Sequence, residues 1–179
     1  MLKYNSILVK IKLFYLILSG KLRKNKTTIS ISPNKGIDVK NILIIFPVKD
    51  EDFRVALYTF RKLLILDNIN YYYLINCIHR QHFHLRGYVY DMYSSTRKER
   101  IKIDETFYKQ RILNKKYDII IDLNKDFLFD ISLLINKLKG KYKIGIKKDY
   151  SDFIYNIQYD CNTADILENI YNKIFLILK

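Results

Sequence analysis

A strand–helix–strand pattern in residues 116–146 constrains the fold of this chain more than any other stretch. Its first strand holds three consecutive isoleucines, residues 119–121. β-Branched side chains suit a strand, and an apolar run without alternating polar residues suits a strand covered on both faces, as in a parallel sheet. Apolar residues spaced three and four apart follow in residues 127–138, which is typical of a helix packed on one side. Residues 124–126 suit the turn that starts this helix.

A second strand, at residues 142–146, completes this unit. Gly140 is predicted to end the helix, because glycine enters the left-handed conformation of a helix cap without steric cost. A strand, a helix and a strand of these lengths predict a right-handed crossover between two parallel strands.

The rest of the chain repeats this alternation of strands and helices. Further strands are predicted at residues 41–46, 71–76, 88–92 and 157–161, with a peripheral strand within 97–104. Helices are predicted from residue 50, over 105–113, and after a cap at Asn162 or Thr163 with Asp165 in the first turn. We therefore expect an α/β fold, a three-layer, doubly wound and mainly parallel sheet of the Rossmann-like type.

The expected fold also predicts where a ligand would bind. In doubly wound sheets, ligands lie beyond the carboxyl ends of the strands, close to the point where the strand order reverses. The loops assigned to that edge are residues 47–52, 77–86, 124–126 and 147–149.

The charge of the chain is concentrated near its start. A net charge of +14 in 179 residues would suit nucleic-acid binding. Residues 1–40, however, hold nine Lys and Arg against the single acid Asp38, which is more than half of the excess. A basic arm differs from a basic binding face, so we do not expect nucleic-acid recognition. We divide the chain into a basic N-terminal helix and linker, residues 1–40, and a Rossmann-like α/β domain, residues 41–179.

The N-terminal helix is predicted from an apolar stretch, residues 2–18, that Lys3, Lys10 and Lys12 interrupt. Its longest uncharged run is far short of the roughly 20 residues that span a bilayer, and no secretory cleavage site is expected. Two interpretations stay open. The helix either contacts anionic lipid peripherally or packs on the domain with its lysines in water. Residues 21–40 are predicted to form a linker or an edge strand.

The two cysteines, Cys77 and Cys161, lie too far apart and are too few for a disulfide framework. A reducing compartment is the simpler interpretation. We expect a cytoplasmic protein, with peripheral association at the inner face of the membrane as the location that the basic helix would add.

Candidate catalytic acids follow two predicted strands. Asp52 is either a general base or an acid that complements a helix N-terminus. Asp122 ends the isoleucine strand and is either an active-site acid or an acceptor for the backbone of the next loop. The glycine-rich motifs that bind nucleotide phosphates are missing from the sequence, so no cofactor is expected.

Three histidines, His79, His82 and His84, fall within six residues. Imidazole is a good zinc ligand, but this spacing matches no standard zinc module. We therefore expect no metal, and the alternative is a loop that carries histidines at the edge of the sheet.

Three blocks of the sequence resemble the N-terminal half of the heptosyltransferase-type glycosyltransferases, GT-B proteins with two Rossmann-like domains. The blocks are NILIIFPVKDEDFRVALYTFRKL (41–63), KKYDIIIDLNKDFLFDISLLINKLKG (115–140) and YKIGIK (142–147). The resemblance implies sugar transfer to lipopolysaccharide-like acceptors and aligns Asp52 with an acid that serves as general base. Glu51, Ala56 and Tyr58 stand where the family has glycine, threonine and proline. The donor-binding second domain does not follow, so the resemblance implies a chain that lacks nucleotide-sugar binding on its own.

The sequence indicates two possible functions. The first is a stand-alone glycosyltransferase-like domain in cell-envelope glycan assembly that is not catalytic alone and meets a partner protein or a glycolipid acceptor. The alternative is a non-catalytic interaction module held at an anionic membrane surface by its basic N-terminal helix.

Overall fold

A computed structural model describes residues 7–22, 39–63, 68–95, 100–103, 106, 108–161 and 166–178. Four α-helices and seven strands are found in this part of the chain. Their order is α1 (Ile7–Leu18), β1 (Asn41–Ile45), α2 (Asp50–Phe60), β2 (Asn70–Asn76), β3 (Tyr88–Ser95), β4 (Arg100–Lys102), β5 (Lys116–Asp122), α3 (Phe129–Lys137), β6 (Lys139–Ile146), β7 (Ile157–Tyr159) and α4 (Leu167–Phe175). Short 3-10 turns lie at Cys77–His82, Ser151–Phe153 and Leu176–Leu178, and a π-helical turn lies at Tyr108–Leu113.

The strands form one sheet in the order β4-β3-β2-β1-β5-β6-β7. Every neighbouring pair in it is parallel except β3 and β4, which are antiparallel. The chain runs outward from β1 to β4, returns to the centre, and runs outward again from β5 to β7. The doubly wound, mainly parallel α/β fold is therefore confirmed, and the strand order reverses between β1 and β5.

Both faces of the sheet are covered, which explains the strands without polar alternation. Ile42 and Ile44 face a core that includes side chains of α2 and α4, while Leu43 and Ile45 face a second core that includes side chains of α3. Successive residues of a strand point to opposite faces, so every position of such a strand is apolar. Burying each of these side chains contributes about 1.5–3 kcal/mol.

The two ends of α3 differ from the prediction. The helix begins at Phe129, after Leu128 in an extended conformation, and not at residues 124–126. Gly140 does not cap it, since Gly140 lies within β6. The carbonyls of Ile135 and Asn136 at the end of α3 instead accept hydrogen bonds from Lys143 Nζ, at 2.7 and 3.2 Å.

Gly140 is needed for a different reason, which is close packing. A Cβ atom at this position would lie 2.9 Å from Cγ1 of Ile120 on the neighbouring strand. The glycine therefore lets β6 lie against the isoleucine strand.

The remaining predicted elements are found near their predicted positions, but some bounds and one helix type differ. The peripheral strand within 97–104 is β4, and residues 108–113 of the predicted helix over 105–113 form a π-helical turn. Asn162, Thr163 and Asp165 lie outside the described residues, and α4 begins at Leu167. Of the predicted linker, residues 23–38 lie outside them as well. The division of the chain at residue 40 stays a prediction.

Helix α1 packs beside α3 on the outside of the domain. Leu13, Ile17 and Leu22 line an apolar crevice together with Phe129 and Leu133. Among the residues that the structure describes, no helix combines the length and the apolar character needed to cross a membrane.

Candidate functional site at the strand switch point

Asn124 joins the two loops that meet where the strand order reverses. Its Oδ1 accepts a hydrogen bond of 3.0 Å from the backbone N–H of Val48, after β1. Its Nδ2 donates to Asp122 Oδ1 at 2.7 Å and to the carbonyl of Phe46 at 3.5 Å. Because this side chain is buried and uses both ends of its amide, it holds the loop after β5 against the loop after β1.

Asp122 is buried beneath this junction, at 1% exposure. Its Oδ1 also accepts from the backbone N–H of Asn124 at 3.0 Å. Its Oδ2 accepts from Lys148 Nζ at 3.0 Å and from the hydroxyl of Tyr155. Burial, and then the neighbouring carboxylate, raise the pKa of Tyr155 well above its usual value, so this hydroxyl stays a donor.

The contacts of Asp122 bear on its two interpretations. Hydrogen bonding to the next loop is what this carboxylate does here, since it accepts from the backbone and the side chain of Asn124. Lys148 adds a second link, because its Nζ also donates to the carbonyl of Asn124 at 2.6 Å. The loops after β5 and β6 are thereby fastened together, and a catalytic role for Asp122 stays an untested prediction.

Charged side chains lie on the outer side of the same edge. Lys49, after β1, forms an ion pair with Asp126, after β5. The pKa of Lys49 is raised, chiefly by its hydrogen bond to Asp126. This pair bridges the switch point at the surface, above the buried junction made by Asn124.

Asp52 lies in the first turn of α2, beside this pair. It is half-buried, and burial raises its pKa, while the charge of Lys49 acts in the opposite direction. Among the described residues, no ion pair or side-chain hydrogen bond engages its carboxylate. A carboxylate with a raised pKa and free oxygens is suited to accept a proton from a hydroxyl group.

His79 is part of the core and not of an open metal site. Its ring stacks on Phe53 with the centroids 4.1 Å apart and an angle of 11° between the planes. It hydrogen-bonds the backbone of Val48, and its Nδ1 lies 3.6 Å from Asp50 Oδ1. Burial lowers the pKa of His79, so the ring is neutral near pH 7 and ties the loop after β2 to the loop after β1.

The other two histidines, His82 and His84, are exposed. In the described part of the chain, no three His, Cys, Asp or Glu side chains are grouped so that they would hold a metal ion.

The four loops assigned from the sequence do meet at this edge. The hydrogen bonds of Asn124, Lys148 and His79 connect the loops that follow β1, β2, β5 and β6. Sequence reasoning gave roles to Asp52 and Asp122 but none to Asn124, Lys49 and Lys148, although it assigned their loops to this edge. The available signal was the presence of polar residues shortly after buried strands, in the segments FPVKD, DLNKD and GIKKD.

Comparisons with known proteins agree with this fold. Neither the protein-family models nor the curated proteins contain a significant match to this chain. Among solved structures, the chain is similar to Escherichia coli heptosyltransferase WaaC with ADP, at a TM-score of 0.58 and 13% identity. The match covers 76% of this chain and 46% of the neighbour, so this chain spans about half of that protein's length. The two chains share a Rossmann-like α/β fold.

Proposed function

We propose that this protein is a glycosyltransferase-like domain that holds a hydroxyl-bearing acceptor at the switch point, as part of cell-envelope glycan assembly. Asp52 carries the proposal. Its carboxylate is half-buried, has a raised pKa and lies beside the loops that meet between β1 and β5. The likeness in fold to a heptosyltransferase supports the class of reaction, and the resemblance in sequence points to the same family.

Each residue of the site has a role in this proposal. Asp52 accepts the proton of the acceptor hydroxyl, as a general base whose pKa lies closer to neutrality than that of a free carboxyl. Lys49 and Asp126 supply a charge and hydrogen-bonding groups for neighbouring sugar hydroxyls. Asn124 and Asp122 hold the loops in place and do not contact the acceptor.

We assign the acceptor side of the reaction to this domain. The chain spans 46% of the length of the similar heptosyltransferase. We propose that a partner protein supplies the nucleotide-sugar contacts, and we expect this domain to bind an acceptor but to transfer no sugar alone. The location that fits this role is the cytoplasmic face of the membrane, where glycolipid acceptors are present.

The proposal can be tested by NMR titration of the ¹⁵N-labelled chain with lipopolysaccharide core oligosaccharide. We expect shifts of backbone amides in the loops after β1 and β5. Asp52→Asn should weaken binding by about tenfold, since a hydrogen bond to a charged group contributes about 1.5–3 kcal/mol. Glu51→Gln, an exposed acid in the same helical turn, is the matched control and should leave binding unchanged.

Calorimetry with ADP- and UDP-sugars tests whether this domain alone binds a sugar donor. Weak or absent binding of both nucleotide sugars is expected for the chain alone. If the oligosaccharide leaves the switch-point amides unmoved, or if Asp52→Asn binds like the unaltered protein, the acceptor proposal is wrong.

A second candidate function is a non-catalytic interaction module with the same fold. Two of the carboxylates at the edge are already paired, Asp122 with Lys148 and Asp126 with Lys49. Such pairing favours a rigid binding edge over a reactive one. Sugar transfer in the presence of a donor-binding partner would decide between the two functions.

A further inference from the structure

Helix α1 has two apolar faces, and the domain uses one of them. Leu13 and Leu22 are buried in the crevice beside α3. Asn136 Nδ2, on α3, donates a hydrogen bond of 3.2 Å to the carbonyl of Lys21, just after the helix. These contacts hold α1 on the domain in one orientation, so the direction of its opposite face is determined.

The opposite face presents large apolar side chains to water. Its residues are 57–70% exposed, and they are Ile11, Phe14, Tyr15 and Leu18. The spacing of three, four and seven residues places them in one stripe along the helix. A continuous exposed patch of this kind marks an interaction surface.

Positive charges flank this stripe on both sides. With about 100° of rotation per residue, Lys10 and Lys12 project to opposite sides of Ile11, and both are exposed. Lys21 Nζ lies 6.0 Å from the ring centroid of Tyr15. No acidic residue occurs in the helix, and Asp38 is the single acid in residues 1–40. The complementary partner is a surface that is apolar inside and negative at its boundary.

We infer that α1 docks this protein, lying flat, onto an anionic lipid bilayer. The apolar stripe enters the interface between headgroups and acyl chains, and the flanking lysines contact the lipid phosphates. A helix of 12 residues is about 18 Å long, which suits a position in the plane of the interface. The inference is independent of sugar transfer at the switch point, since none of the stripe residues belongs to that site.

Two aromatic side chains connect the crevice that seats α1 to the loop after β5. Tyr150 lines the crevice that seats α1. Its ring centroid lies 5.6 Å from that of Phe127, the residue after Asp126.

A tryptophan reporter tests the depth of contact in the full chain, which contains no native tryptophan. Phe14→Trp should show a blue-shifted emission on adding phosphatidylcholine vesicles that contain phosphatidylglycerol, and a much smaller shift with phosphatidylcholine alone. Tyr93→Trp, placed on β3 at a position that is 53% exposed, is the control and should not shift. An unshifted Phe14→Trp spectrum on anionic vesicles overturns the inference.

Vesicle sedimentation tests the two components of the surface separately. The triple variant F14S/Y15S/L18S should bind anionic vesicles about a hundredfold more weakly, from the loss of three buried apolar groups. K10Q/K12Q should weaken binding about twentyfold on anionic vesicles and leave binding to neutral vesicles unchanged. Ile78→Ser, at another exposed apolar position, is the control that should bind normally.

A different binding partner of the stripe would give different results in these experiments. The altered side chains are exposed, so the thermal melting of each variant should match that of the unaltered protein. A dimer that the triple variant abolishes, without any binding to vesicles, would show that a second copy covers the stripe. That result, or equal binding to neutral and anionic vesicles, overturns the inference.

Discussion

Lys148 should be worth far more to the stability of this protein than the lysine next to it. Its side chain is 6% exposed and forms an ion pair of 3.0 Å with the buried Asp122. Lys147 forms an ion pair of 3.2 Å with Asp160, but these side chains are 59% and 66% exposed. Substituting each of these neighbouring lysines therefore compares a buried ion pair with a solvated ion pair in the same loop.

The expected magnitude follows from what each substitution leaves behind. Lys148→Met removes one of the four donors that serve Asp122 and also the donor to the carbonyl of Asn124. Removing one partner of a buried pair costs about 3–5 kcal/mol, and the three remaining donors on Asp122 place this case near the lower end, at about 3 kcal/mol. Lys147→Met should cost less than about 0.5 kcal/mol, because solvent screens its pair.

Urea unfolding followed by circular dichroism measures both free energies. The double variant Asp122→Asn/Lys148→Met completes a cycle with the single variants, and we expect a coupling energy of about 2 kcal/mol. A loss of several kcal/mol is a large share of the roughly 5–15 kcal/mol that holds a domain folded. Equal losses for Lys148→Met and Lys147→Met would refute the idea that the buried pair fastens the switch-point loops.

Two further predictions concern the other polar groups inside the fold. Burial lowers the pKa of His79 below its usual 6.5, so the unfolded chain binds a proton more readily than the folded one. The free energy of unfolding should therefore fall as the pH drops below about 6.5, by at most about 1.4 kcal/mol per pH unit. Urea unfolding at several pH values should show that His79→Gln removes this pH dependence and that His82→Gln, at an exposed position, keeps it. An unchanged pH dependence in His79→Gln would contradict the assignment of the effect to His79. Lys143→Met should destabilise the protein by about 1–2 kcal/mol and speed amide hydrogen exchange in the last turn of α3, whereas Lys139→Met, exposed on the same strand, should do neither. Equal exchange rates in both lysine variants would show that another group satisfies the end of the helix.

The predictable part of the fold rests on patterns that short segments carry by themselves. Residues 119–121 are apolar on both faces because water is excluded from both sides of their strand, and any α/β sheet imposes that requirement. The stripes of α3 and α4 likewise follow from one buried side on each helix. The layers, the strands and the parallel crossover were therefore correct, and Asp52 and Asp122 lie at the carboxyl edge of the sheet, where they were expected.

Contacts between distant segments account for what was missed. Gly140 carries the usual signal for a helix end, but its role is set by Ile120 on the next strand, and Lys143 satisfies the end of α3. The hydrogen bond between Asn124 and Val48 joins residues 76 positions apart. Such a partner is chosen by strand order and register, which local patterns do not encode.

Most of the strands and helices, their order along the chain and the layers they build can be predicted from local sequence, because hydrophobic periodicity is a local property. The pairing of β1 with β5, and the contacts by which Asn124 and Lys148 fasten the loops around Asp122, are found only in the folded chain. The tertiary structure also decided which face of α1 is buried and which faces water. The physical reason is that strand order and helix docking are settled by the sum of many weak contacts over the whole chain, and no single segment contains that sum.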